Sequence, residues 1–89
     1  MQFLITLEET EFGFSVQVPD LAILTYGKTI ELAKQSAIAA IESNLNAYMT
    51  LGQEIPNKQS IGVHLNNTDF QNLLFAWVKV EVENAQEAA

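Results

Sequence analysis

Little in this 89-residue chain is equipped for chemistry: one histidine, His64, eleven carboxylates and four lysines, with no cysteine and no arginine. Without thiols there is no disulfide and no thiolate metal site. A nucleophile triad would have to recruit His64 as base, and no serine stands in a Gly-X-Ser-X-Gly turn. His64 falls on the polar side of an alternating stretch, with no carboxylate at metal-ligand spacing nearby, and reads as a surface histidine. Glu8, Glu9 and Glu11 cluster at what looks like a hairpin tip, where carboxylates are normally solvated. Asp20 follows Pro19, and Asp20 and Glu31 flank a short strand across which they could approach. A two-metal nuclease needs more acids than that converging on one pocket. No catalytic, metal or cofactor residue is therefore assigned, and the chain is expected not to be an enzyme.

Gly27-Lys28-Thr29 matches the end of a phosphate-binding loop. The full pattern needs a glycine five positions earlier, where this chain has Ala22, and so lacks the wide turn that aims backbone amides at phosphates. A capping role accounts for the same residues. Gly27 turns the chain out of a strand, and Thr29 is the N-cap, its hydroxyl accepting from an early helix amide. Glu31 lies in the first turn, where the helix dipole favours a carboxylate.

The elements that must position these residues follow from periodicity. Phe3, Ile5 and Leu7 alternate with Thr6 and Glu8, Leu4 being the exception, and Phe12, Phe14, Val16 and Val18 alternate with Gly13, Ser15 and Gln17, a period of two that predicts two half-buried strands joined as an antiparallel hairpin. Pro19 ends the second strand, and Ile23 to Tyr26 is a short third. From Thr29 the period changes. Ile30, Ala33, Ala37, Ile38, Ile41, Leu45, Tyr48 and Met49 recur at steps of three and four, forming one stripe on a helix of about six turns. Gly52 stops it and Pro56 prevents its resumption. Ile61, Val63 and Leu65 alternate with Gly62, His64 and Asn66 and are expected to form a fourth strand. Asn66 to Asp69 is a turn, with a helical turn through Asn72. Leu74 to Val82 is the fifth strand.

The expected fold is α+β in the order β-β-β-α-β-β, an antiparallel-rich sheet with one long helix on one face. The domain is expected over residues 1–82, with residues 83–89 a fraying acidic tail. One helix covers one face of a sheet. Leu4, Phe75 and Trp77 then share the uncovered face and are the candidate residues of an oligomer interface. The competing reading inverts that face or covers it with the tail.

The net charge of -7 opposes direct binding to nucleic acid, whose phosphates draw on Lys and Arg. It suits either a basic protein partner, steered by Glu8, Glu9, Glu11 and Asp20, or solubility alone. No run reaches the ~18 apolar residues of a membrane span, and no signal-peptide pattern precedes the domain, so a cytoplasmic setting is expected.

The stretch from Gly13 to Ile41 resembles the HicB family of type II antitoxins. Pro19-Asp20-Leu21 matches the end of that family's second strand. Thr25-Tyr26-Gly27-Lys28-Thr29 matches its Thr-X-Gly-Asp-Thr stretch, with Lys28 in place of Asp. Glu31 and Ala33 match the helix opening, with Leu32 replacing a second Glu, and Gly52 with Ile55-Pro56 matches the Gly-X-X-Ile-Pro that follows the helix. Ala22-Ile23-Leu24 stands where the family has a Pro-Gly-Cys turn. The resemblance implies a partial RNase H-like sheet without that enzyme's metal site, and a homodimer or higher oligomer. It also implies a partner, a small basic RNase toxin of the HicA type. The family's C-terminal operator-binding module has no counterpart expected within these 89 residues. An orphan self-associating domain, or a residual metal-dependent nuclease, are the rival readings.

Overall fold

The structure is a computed structural model that describes residues 1–59, 61–70 and 73–81. Three strands, a long helix, a short helix and a last strand follow one another: β1 (Gln2–Thr10), β2 (Gly13–Val18), β3 (Ile23–Gly27), α1 (Ile30–Thr50), α2 (Ile61–Leu65) and β4 (Leu74–Lys79). All pairings are antiparallel, in the spatial order β3-β2-β1-β4. The first hairpin turns through Glu11 and Phe12, with Thr10 opposite Gly13. β4 closes onto β1 with Leu4 opposite Trp77 and Thr6 opposite Phe75, and backbone bonds between Met1 and Val80 extend that ladder.

The two faces of the sheet are built differently. Toward α1 lie Phe3, Ile5 and Leu7 of β1, Val16 and Val18 of β2, and Val78 and Val80 at the β4 end. They are packed with Ala33, Ala37, Ile41 and Leu45, one residue per helical turn. The predicted helix stripe thus supplies the core, but its ends, Ile30 and Met49, remain exposed. Thr29 caps α1 as expected, its hydroxyl accepting from Leu32 N–H at 3.1 Å. At the other end Gly52, with φ 70°, gives its N–H to Met49 and Gln53 gives its N–H to Tyr48, the paired bonds that close a helix through a left-handed residue.

Gly27 ends β3 where the chain turns toward α1, as expected, and it has a second task. A Cβ there would stand 2.2 Å from the Ala33 nitrogen and 2.4 Å from its Cα. The end of β3 and the first turn of α1 meet backbone to backbone, which only glycine permits. Two residues before Gly27, Thr25 of β3 shares a hydroxyl–hydroxyl bond of 2.5 Å with Ser36 of α1. Ala22 carries a positive φ of 55° at the end of a 3-10 turn, Pro19–Leu21.

The expected fourth strand is the main correction. Residues Ile61–Leu65 form α2, not a strand, so the order is β-β-β-α-α-β within the same α+β class. In five residues a period of two and a helical turn are hard to tell apart, and here tertiary anchoring decides. Ile61, Val63 and Leu65 are exposed while His64 is buried, the reverse of the alternating pattern. The next turn is a 3-10 helix, Thr68–Phe70, opened by Asn67, whose side chain accepts from Asp69 N–H. The last strand ends at Lys79. Asn72, Val82 and the tail 83–89 expected to fray lie outside the described residues.

Candidate functional site

The face of the sheet opposite α1 carries Leu4, Thr6 and Glu8 of β1, Ser15 and Gln17 of β2, Leu24 and Tyr26 of β3, and Phe75 and Trp77 of β4. It is not bare. Leu4 is 2% exposed and Thr6 is also buried. The segment after the long helix returns toward this side. Phe70 meets Phe75 edge to face, with ring centroids 6.5 Å apart, and His64 packs 6.1 Å from Phe70. Of the three residues expected to share an open face, Leu4 is therefore enclosed, Phe75 is half-buried and Trp77 is 51% exposed.

His64 and Asp20 hold that returning segment. Their side chains are 5% and 3% exposed. Asp20 Oδ1 lies 2.9 Å from His64 Nε2 and also accepts Gln59 N–H at 3.0 Å. His64 is thus an internal anchor, which corrects its reading as a surface histidine. The carboxylate only accepts, so His64 donates from Nε2. Forty-four positions separate the pair in sequence, and no local pattern links them. A second tie lies nearby: Lys58 donates to the Gln2 carbonyl at 2.8 Å and sits 4.9 Å from the Phe3 ring centroid, while Ile55 packs on the core.

The four acids expected to act together are split. Glu8, Glu9 and Glu11 are exposed at the β1–β2 turn. Asp20 lies beyond the opposite end of β2, next to Val18, and is spent on His64 and Gln59. Asp20 and Glu31 do not form the pair considered above either, since Glu31 is exposed in the first turn of α1. Among the described residues no group of three or more His, Cys, Asp or Glu side chains is placed to hold a metal ion. Nor is any described helix long and apolar enough to cross a membrane.

Between the sheet and α2 lies a cavity of about 360 Å³ bordered by Gln17, Leu24, Gln59, His64, Asn67 and Phe70, among others. Two elements that contribute to its wall, β3 and α2, also carry exposed apolar side chains. Leu24 is 70% exposed, and Ile61, Val63 and Leu65 are exposed along α2. Sequence reasoning missed this surface because it placed α2 in the sheet. Exposed apolar side chains and a small, partly polar cavity offer a surface for docking, with the acidic hairpin tip at the opposite end of β2.

The fold is that of a small acidic α+β domain. The chain belongs to the HicB-like antitoxins of bacterial toxin–antitoxin systems, whose family pattern matches residues 3–89. It is accordingly a regulatory protein, not an enzyme. No curated protein sequence matches it. Among solved structures it is similar to the N-terminal domain of the Burkholderia pseudomallei antitoxin HicB, with TM-score 0.81 and 21% identity over 92% of this chain and 100% of that one. The longer Burkholderia pseudomallei HicB structure gives TM-score 0.80 and 21% identity over 91% of this chain. This chain spans 64% of that longer one. A chain of the HicA3 and HicB3 toxin–antitoxin complex matches at TM-score 0.75 and 19% identity, over 91% of this chain and 99% of that one.

Proposed function

We propose that this domain binds a small basic RNase toxin of the HicA type and masks its RNA-binding surface, in the cytoplasm and without contacting nucleic acid itself. The observation that carries the reading is a family match over nearly the whole chain, joined to a surface of the matching chemistry. A structural relative is described as part of a complex of HicA3 with HicB3. The net charge here is -7, with no arginine, and Glu8, Glu9 and Glu11 stand exposed on one tip. Those three steer a basic partner at long range, and the apolar residues of α2 and β3 supply the lasting contact. Asp20 contributes by holding α2 in place. The domain self-associates through Trp77, with Phe75 beside it and Leu4 as buried support.

The test is a binding titration against a small basic toxin of the HicA type, at several salt concentrations. Glu8→Gln, Glu9→Gln and Glu11→Gln together should slow association by about tenfold and flatten its salt dependence. An unchanged association rate at every salt would remove the hairpin tip from the interface. Failure of the unmutated chain to bind any basic protein would remove the antitoxin reading itself.

A further inference from the structure

We propose that the cavity between the sheet and α2 is a receptor for a single guanidinium, an arginine side chain presented by the protein partner. The proposal rests on the reading above and assigns that partner's contact to a specific place. His64 lines the cavity, and its Nε2 is committed to Asp20 at 2.9 Å. The other ring nitrogen, Nδ1, has no hydrogen-bond partner among the described residues. Gln17, Gln59 and Asn67 border the same space. Each can turn an amide oxygen inward, and Asn67 keeps a second lone pair beyond the bond it accepts from Asp69. Phe70 offers a ring and Leu24 an aliphatic wall, the surroundings in which a guanidinium stacks while its methylenes stay dry.

Charge chooses between ligands. None of the lining residues is cationic, the Asp20 carboxylate stands directly behind the imidazole, and the net charge is -7. A phosphate or carboxylate would meet repulsion and no ion-pair partner, whereas a group with several N–H donors meets acceptors on more than one side. At about 360 Å³ the space is near the lower end for ligand pockets and suits one side chain more than a cofactor. The occupant cannot be a second copy of this chain, which has no arginine to give.

The test uses the ¹⁵N-labelled chain with N-acetyl-arginine amide and its neutral isostere N-acetyl-citrulline amide. Saturable shifts at the Gln17 and Asn67 side-chain amides and at the His64 ring are expected with the arginine probe, and about tenfold weaker binding of citrulline. Absence of saturable shifts, or equal binding of the two probes, overturns the proposal. Gln17→Lys alters an exposed side chain at the mouth and should weaken both the arginine probe and the basic partner by about tenfold. If the unmutated chain and Gln17→Lys bind the partner equally, the receptor is wrong and the antitoxin reading stands. If the arginine probe binds but no basic protein does, the cavity stands and the antitoxin reading falls.

Discussion

Asp20→Ala should unfold this domain more readily while leaving its long-range attraction for a basic partner intact. The carboxylate is enclosed and accepts from two donors, His64 Nε2 at 2.9 Å and Gln59 N–H at 3.0 Å. Gln59 is exposed, so its N–H turns to water once the acceptor is gone. The imidazole Nε2 is less free to do so, because His64 is buried. The loss should therefore be about 2–3 kcal/mol, the worth of a hydrogen bond to a charged group plus a donor stranded inside. A chain of this length holds roughly 4–13 kcal/mol in total at the usual stability per residue. With a urea slope near 1 kcal/mol/M for so small a domain, the midpoint should fall by about 2–3 M. Asp20→Asn keeps one acceptor oxygen and should lose about half as much. Combining Asp20→Ala with His64→Ala in a double-mutant cycle should give a coupling of about 1–3 kcal/mol. A urea midpoint for Asp20→Ala within error of the unmutated chain, or a coupling near zero, would refute the anchor. So would a flattened salt dependence of partner binding in Asp20→Asn, because that would make Asp20 a steering charge after all.

Three further outcomes follow from the backbone and the surface. Gly27→Ala drives a Cβ into the Ala33 backbone and should cost about 3 kcal/mol, since backbone yields less than a side-chain end. Circular dichroism during urea unfolding reads this, and a neutral result would mean that β3 and α1 are not so close. Ala22→Gly relieves a left-handed residue and should raise stability by about 0.5–1 kcal/mol after the glycine's extra unfolded-state entropy is subtracted; a loss in thermal melting would contradict that geometry. Trp77→Glu places a charge on an exposed aromatic and should turn oligomers into monomers on a sizing column, whereas an unchanged elution volume removes Trp77 from the oligomer interface.

Legibility in the sequence followed the range of the interactions. The hairpin, the third strand and α1 with its Thr29 cap and Gly52 stop rest on contacts between near neighbours and were readable from periodicity or capping chemistry. The last strand pairs with β1 from the far end of the chain, and through its own alternation it too was readable. So was the matched order of motifs from Pro19 to Pro56. What was not readable depends on residues far apart. His64 meets Asp20 across forty-four positions, and that meeting turns an apparent strand into α2, buries a polar residue and exposes Ile61, Val63 and Leu65. The same event withdraws Asp20 from the acidic surface and brings Phe70 against Phe75. Gly27 was recognised for the turn at the end of β3, but not for the close approach of two backbones, which leaves the same sequence mark as a turn.

The most direct trial of the antitoxin account is a stoichiometric inhibition assay. A small basic RNase toxin of the HicA type is incubated with RNA, and increasing amounts of the purified 89-residue chain are added. The account predicts that cleavage falls to background as the two proteins reach a fixed ratio, and that raised salt restores it. RNA cleavage that continues undiminished with the chain in excess would contradict it.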